Sequence, residues 1–265
     1  MQGELVFLGT GTSMGVPTLG CECAVCTSAD PRDKRLRPSV LLRWSDADAV
    51  ARTVVIDTTP DFRTQALNAG LRHVDAVFYT HSHADHILGF DDLRPLSFEW
   101  FRAQGPIPLY ATAETRATME KVFAYTLAPD ATYKNRARVR LEPLNGHNVV
   151  RGVDFVPVPV LHGEMEITGY RIGNAAYLTD VSAIPESSFA LLEGLDLLVL
   201  SALRHKPHHN HLTLAQAMEL AGRIGAGRTY FTHIAHELGH AQTNAQLPNG
   251  MELAYDGLRL EVRLG

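Results

Sequence analysis

Three histidines and an aspartate fall within the six residues His81-Ser82-His83-Ala84-Asp85-His86. Imidazole nitrogens and carboxylate oxygens are donors for divalent cations, and this density is enough to begin a two-metal site. His81 and His83 suit one ion, Asp85 and His86 a second. A single histidine more often only hydrogen-bonds in a polar loop. Four donors packed this closely after an apolar run argue against that bland reading. The loop is too short to close either site, so further ligands must come from later in the chain.

Several later residues offer such ligands. His162 follows the apolar run Val153 to Leu161, and Asp180 follows Ala175 to Leu178. A carboxylate in that position can bridge two metals with its two oxygens, although an isolated aspartate at a strand end is usually a turn former. In Thr232-His233-Ile234-Ala235-His236 two imidazoles stand three residues apart, which suits one ligand at each of two neighbouring sites. Between these lies Arg204-His205-Lys206-Pro207-His208-His209-Asn210-His211, with four histidines and two cations. Solubility accounts for most of that loop. One histidine placed just before the following helix can meet a substrate phosphate. No role follows for His205, His208, His209 or His240.

A second type of chemistry is concentrated in Cys21-Glu22-Cys23-Ala24-Val25-Cys26. Three thiolates suit Zn²⁺ and need one more ligand for a closed tetrahedron, so a structural zinc clip is the preferred reading. A redox pair at Cys23 and Cys26, or plain reduced thiols, are the alternatives.

The elements that must position these donors are short and alternate in type. Leu5 to Leu8 reads as a buried strand running into Gly9-Thr10-Gly11-Thr12-Ser13, a tight turn that lets backbone approach the site. That turn lacks the lysine of a P-loop and the spacing of a dinucleotide fingerprint, leaving phosphate contact the minor reading. Pro38 to Trp44 and Thr53 to Asp57 read as paired strands. Thr59, as a cap, and Pro60, at the first helical position, open a helix that ends at Gly70. Asp57 and Asp61 are placed either to orient a metal-binding histidine or simply to cap. Residues 90–108 read either as a lid or as ordinary helical packing. Ala113 to Tyr125 reads as a helix, and Tyr133 to Arg136 as a solvated basic patch. Val139 to Leu141, Val153 to Leu161, and the pair Gly169 to Ile172 and Ala175 to Leu178 around Gly173-Asn174 read as strands. Leu195 to Leu200, a helix over Thr213 to Ile224, and a strand over Arg228 to Phe231 complete an α/β order with two inner sheets and outer helices.

The bulk composition limits the partners. The 265 residues carry a net charge of -5, with a pI near 6.2. Without a general basic field, long nucleic acid is a poor candidate ligand, since it is bound largely through phosphate neutralisation. No apolar run reaches bilayer length, and Met1-Gln2-Gly3-Glu4 lacks a secretory pattern, so no membrane association and a cytoplasmic location are expected. The three clustered cysteines fit metal use better than a disulfide framework.

The pattern H-x-H-x-D-H resembles the signature of the metallo-β-lactamase superfamily of hydrolases. From Leu5 to Ser13, through the cysteine cluster, to Thr232-His233-Ile234-Ala235-His236, the sequence resembles PhnP-type phosphodiesterases. These are enzymes of phosphonate breakdown that open five-membered cyclic phosphates of ribose. The resemblance implies an α/β fold of the αββα sandwich type, as one domain over residues 1–265 with a zinc-binding insertion near residues 20–30. It implies that His81, His83 and His162 hold one divalent ion, that Asp85, His86 and His233 hold the other, and that Asp180 bridges. Mn²⁺ or Zn²⁺ is expected at these two positions, N/O ligand sets of this kind accepting either according to availability. His236 would complete Cys21, Cys23 and Cys26 around a structural Zn²⁺, while His211 would meet the phosphate and Asp85 would share in catalysis. The reaction expected is attack on phosphorus by a hydroxide held between the ions, with His211, if protonated, stabilising the equatorial oxygens or protonating the leaving alkoxide. The expected partner is a small-molecule phosphodiester, and a homodimer is compatible with the sequence.

Three alternatives remain open at this stage. A tRNA 3′-processing endonuclease shares the metal ligands, but such enzymes usually carry a long arm where this chain has a short hairpin between His162 and Asp180. Glyoxalase II-like thioester or lactone hydrolysis shares them as well. A metal-binding scaffold without turnover is the non-enzymatic alternative.

Overall fold

The computed structural model describes residues 1–265. Fourteen strands make two seven-stranded sheets. The strands are β1 (Gln2–Gly9), β2 (Ser39–Ser45), β3 (Ala51–Ile56), β4 (Ala76–Phe78), β5 (Ile107–Ala111), β6 (Val139–Pro143) and β7 (Asn148–Val150), then β8 (Val153–His162), β9 (Met165–Ile172), β10 (Ala175–Leu178), β11 (Leu197–Ser201), β12 (Arg228–Thr232), β13 (Met251–Leu253) and β14 (Arg259–Arg263). The first sheet runs β14-β1-β2-β3-β4-β5-β6 and the second β13-β12-β11-β10-β9-β8-β7. Each is mixed. In the first, β14 through β3 pair antiparallel and β3 through β6 parallel. In the second, β7 through β10 pair antiparallel and β10 through β13 parallel.

The helices are α1 (Phe62–Asn68), α2 (Ala84–Ile87), α3 (Leu93–Gln104), α4 (Ala113–Val122), α5 (Ala124–Leu127), α6 (Leu214–Ile224) and α7 (His240–Asn244). The layering follows from strands that are apolar on both faces, with successive side chains pointing to opposite sides. In β1, Leu5 and Phe7 enter the core between the sheets, while Val6 and Leu8 face the outer layer with Phe62, Leu93 and Met119 of α1, α3 and α4. In β11, Leu197 and Val199 point inward, while Leu198 and Leu200 pack outward against Leu214, Ala217 and Ala221 of α6. The result is the expected αββα sandwich.

Some local expectations differ from what the chain does. The helix expected to start at Thr59-Pro60 begins at Phe62, with Asp61 in the cap position. Thr59 turns its hydroxyl into the fold instead, accepting from Asp61 N at 3.1 Å and meeting Gln65 Oε1 at 3.0 Å. The helix expected over Ala113 to Tyr125 is interrupted at Phe123, whose non-helical backbone (ψ 33) buries its ring against Phe90. Residues 90–108 are not a free lid: Phe90 and Leu93 are buried, and α3 packs on the outer core of the first sheet.

Candidate metal centre

The sandwich brings the carboxyl ends of several strands to one edge. His81 follows β4, His162 ends β8, Asp180 follows β10, and His233 follows β12. Because β8 is antiparallel to β9, and β9 to β10, the ends of β8 and β10 coincide. Strands β11 and β12 run parallel to β10 and end beside them. In open α/β sheets ligands bind outside such carboxyl ends. Strand β9 is tied to the histidine loop from the facing sheet: Thr168 N donates to Thr80 O at 3.0 Å, and the Tyr170 hydroxyl to Tyr79 O at 2.6 Å.

Two donor groups form there. His81, His83 and His162 converge in one, and Asp85, His86, Asp180 and His233 in the other, with the donor atoms of each group within 4.8 Å of one another. A further overlapping group joins Asp180 to His162 and His211. Asp180 therefore stands between the two, Oδ2 at 3.2 Å from His86 Nε2 and Oδ1 at 3.0 Å from His233 Nε2. Asp85 Oδ2 lies 3.3 Å from His86 Nε2 and 3.8 Å from His233 Nε2. Every residue assigned to the centre from the sequence is present at this edge. His83 alone is exposed, which leaves its side of the centre open.

The imidazoles are oriented from behind. Asp57, at the end of β3, holds Nδ1 of His86 at 2.7 Å with Oδ2 and takes the Thr80 N–H and hydroxyl at 2.9 and 2.8 Å. Thr80 Oγ1 in turn lies 3.0 Å from His81 Nδ1. His162 Nδ1 donates to the carbonyls of Asp180 (2.8 Å) and Asn210 (2.9 Å), which turns its Nε2 toward the centre. Of the two aspartates offered for this orienting role, Asp57 performs it. Asp61 instead pairs with Arg37 at 2.9 Å. The parts of Thr80 and Asn210 went unread in the sequence: a backbone carbonyl such as that of Asn210 leaves no residue-type signal, and a threonine beside a histidine is too common to give one.

The donor set fits divalent ions on two counts. Nε2 of His81 is buried with no hydrogen-bond partner, and Nε2 of His86 and of His233 lie close to carboxylate oxygens without forming a directed hydrogen bond, a costly condition that a coordinated ion relieves. In addition, burial pulls His233 down, yet Asp180 and Asp85 outweigh it and raise its pKa to about 9; His86 is raised for the same reason. Burial likewise pushes Asp180 up, and the His233 and His86 charges override it to hold the carboxyl well below its usual range. Carboxylates strong enough to demand protons from buried imidazoles will accept a dication in their place. Asp57, Asp180 and His233 also adopt left-handed backbone (φ 65, 57 and 55). Such strain costs about 1–3 kcal/mol per residue and persists only where the surroundings over-determine it.

His211 lies over this edge. Its ring stacks on that of His233 at 4.7 Å, the planes 19° apart, and stands edge-on to that of His162 at 4.7 Å. Burial, then the neighbouring His233 charge, pushes its pKa down to about 3, so the resting imidazole is neutral. With the ring neutral, its N–H is free to act as a donor.

The cysteines form a separate group with His236. Sγ of Cys21, Cys23 and Cys26 lie 3.2, 3.2 and 3.6 Å from His236 Nδ1. With Zn–S near 2.3 Å and Zn–N near 2.0 Å, the S···N edge of a tetrahedron is about 3.5 Å, so the four atoms have the spacing of a closed zinc site. The Cys26 N–H, then His236, lower Cys23 to about 6, whereas burial raises Cys26 to about 11. The glycine turn serves this region through its backbone. Thr12 N donates to Ile234 O at 3.1 Å and Ile234 N to Thr10 O at 2.9 Å. A side chain on Gly11 would meet Arg35 O at 2.8 Å.

Two cavities of similar size open on the molecule. One, of about 710 Å³, lies at the opposite edge around Arg43, Arg52 and Arg72. The other, of about 690 Å³, reaches Thr80, His81 and Ser82 and so adjoins the centre.

Comparison with known proteins is consistent with this geometry. Residues 52–234 match the family described as "Beta-lactamase superfamily domain". That span holds both donor groups and His211, and ends before His236. Among solved structures, "Crystal Structure of a New Diphosphatase from the PhnP Family" superposes with a TM-score of 0.91 at 51% identity, covering 100% of this chain and 98% of that one. Among curated proteins, the octanoyltransferase of Porphyromonas gingivalis is 35% identical over 96% of this chain, which spans 50% of that relative's length. The coenzyme PQQ synthesis protein B of Methylorubrum extorquens is 26% identical over 95% of this chain and 85% of its own.

Proposed function

The chain belongs to the β-lactamase superfamily and, within it, is of the PhnP type; from that footing we propose that it is a metal-dependent phosphodiesterase hydrolysing small cyclic phosphodiesters of the ribose 1,2-cyclic phosphate type. The observation that carries this reading is the position of His211, 4.7 Å from one imidazole of each donor group. A phosphoryl group held across the centre lies beneath the one ring that faces both halves.

When bound, a pair of divalent ions (Mn²⁺ or Zn²⁺) supplies Lewis acidity and a water acidic enough to be a nucleophile near neutrality. His81, His83 and His162 would hold one ion and Asp85, His86 and His233 the other, with Asp180 between them. Asp57 and the carbonyls of Asp180 and Asn210 fix the ring tautomers so that Nε2 faces inward. Neutral His211 donates an N–H to an equatorial phosphoryl oxygen, where charge grows in the transition state. Cys21, Cys23, Cys26 and His236 would hold a structural Zn²⁺.

A second reading, cleavage of a diphosphate bond, is favoured by the 51%-identical structure being described as that of a diphosphatase. A panel of ribose 1,2-cyclic phosphate, 2′,3′-cyclic nucleotides, a diphosphate-linked dinucleotide, a thioester and precursor tRNA, run on metal-analysed protein, separates these readings. Preference for the cyclic esters supports the first. Preference for the dinucleotide, the thioester or the RNA replaces it.

A further inference from the structure

Nδ1 of His211 is buried without a hydrogen-bond partner, 4.0 Å from Asp180 Oδ1, and the ring packs on those of His233, His162 and His208. Where it sits is decided by the backbone that carries it. The loop is closed at its neck, where Arg204 bridges Thr213 and Leu203 N donates to Leu212 O. Inside it the hydrogen bonds are local: Arg204 donates to the carbonyls of Lys206 and Pro207, and Asn210 N to His208 Nδ1. From His205 to His211, the one hydrogen bond that leaves the loop is the Asn210 carbonyl accepting from His162 Nδ1 at 2.9 Å. The Asn210 side chain lies over Gly163, the residue after His162, whose backbone is left-handed (φ 64). A Cβ on Gly163 would come 2.3 Å from Asn210 Oδ1 and 3.1 Å from its Cγ. Gly163 is itself held in place, its N–H donating to Ser182 Oγ at 2.8 Å and that hydroxyl to Leu161 O at 3.0 Å.

Resting on the phosphodiesterase reading, we propose that Gly163 is a positioning residue for His211: its bare Cα is the seat on which Asn210 docks, and the Asn210 carbonyl, pinned to His162, sets the height of His211 above the phosphoryl group. His162 thereby serves twice. Its Nε2 faces the centre, and its Nδ1 anchors the loop that carries the phosphate-facing ring. A rigid scaffold placing a functional loop through a few contacts is a common arrangement, and here the contact is single. Glycine is required at the seat because a side chain there lifts Asn210 from His162 and carries the adjacent His211 with it. A displacement of about 1 Å in a group aligned with the reacting atoms can cost about 10²-fold in rate.

The test is a double-mutant cycle, with kcat, KM and metal content measured on each preparation using the best phosphodiester of the panel. Gly163→Ala is expected to lose about ten- to a hundredfold in kcat, with KM within about threefold of wild type and the catalytic metals retained. In the His211→Ala background the same substitution should cost less than about twofold, since the ring it displaces is already gone. Adding Asn210→Ala to Gly163→Ala removes the obstructing amide and should restore at least about fivefold of the lost rate. Equal losses in the two backgrounds, loss of the catalytic metals, no restoration by Asn210→Ala, or an unchanged kcat in Gly163→Ala each overturns the proposal. Absence of turnover on every phosphodiester sinks the phosphodiesterase reading instead. The seat is then decided by NMR of histidine-labelled, zinc-loaded protein. The His211 ring signal, shifted by the stacked ring of His233, should move toward the position of an exposed histidine in Gly163→Ala and return when Asn210→Ala is added. A signal that stays in place removes the seat.

Discussion

Oδ2 of Asp57 lies 2.7 Å from Nδ1 of His86, and neither side chain meets solvent. The carboxylate holds the proton on Nδ1 and turns Nε2 toward Asp85 and Asp180. Asparagine tolerates the left-handed backbone that Asp57 adopts (φ 65), so Asp57→Asn tests the hydrogen bond rather than the fold. Second partners of this kind are typically worth 10- to 100-fold in metal affinity. A chelator-competition titration is expected to show a loss in that range while circular dichroism stays unchanged. Undiminished affinity would reduce the pair to a structural contact.

His211 separates two roles by substitution. As a neutral donor it should be partly replaceable by glutamine, which presents an N–H of similar reach, whereas a proton source would not be. His211→Ala is expected to keep both metals and lose about 10²- to 10³-fold in kcat, the magnitude of one oxyanion donor. His211→Gln should recover at least tenfold of that. A glutamine variant as inactive as the alanine one would return His211 to proton transfer, and unchanged turnover in His211→Ala would remove it from the mechanism.

A pH dependence of stability comes from Asp256, away from the metal donors. It accepts from the Thr10 hydroxyl and the Leu36 N–H, both at 2.7 Å, yet burial raises its pKa from 3.8 to about 7. Below pH 3.8 both folded and unfolded chains carry the proton. Above it the unfolded chain loses its proton first, so this group's contribution to stability declines as pH rises and levels off above about 7. Between pH 5 and 7.5 the decline is on the order of 3 kcal/mol. Urea unfolding of Asp256→Asn and wild type at those two pH values should show the variant gaining on the wild type at the higher pH. A constant difference would mean that Asp256 titrates alike in both states.

What the sequence revealed and what it hid divide along physical lines. The histidine loop and its distant partners were legible because metal donors are rare residue types placed after apolar strands. The sandwich was legible because runs such as Leu5 to Leu8 are apolar on both faces. Strand β14 was not: in Arg259–Arg263 only Leu260 and Val262 turn inward, and its place in the sheet depends on pairing with β1 at the other end of the chain. Nor could Asp57 be told from Asp61 as the partner of a histidine. Both end or begin an element, and only the approach of β4 to β3 brings Thr80 and His86 to one of them.

The cysteine group bears on the metal centre through three residues of chain. His236 belongs to the cysteine cluster, and His233 to the catalytic donors, where it holds a strained backbone (φ 55). The segment between them is fixed twice: Ile234 exchanges hydrogen bonds with Thr10 and Thr12, and Ala235 N donates to Leu203 O at 2.9 Å. A zinc at Cys21, Cys23, Cys26 and His236 adds a third anchor, at the far end of that segment. Cys23→Ser removes the most acidic of the thiols for which a shift is seen, the one lowered to about 6, and is expected to release that zinc. With one anchor gone, His233 can relax toward an ordinary conformation and withdraw Nε2 from Asp180. Catalytic metal affinity and kcat should then fall together, by about tenfold or more, as they do when a ligand's support is lost. Metal analysis and turnover, measured on the same preparation, check this. A variant that has lost one zinc per chain, yet keeps its catalytic metals at full affinity and its full rate, would show that Thr10, Thr12 and Leu203 hold His233 without it.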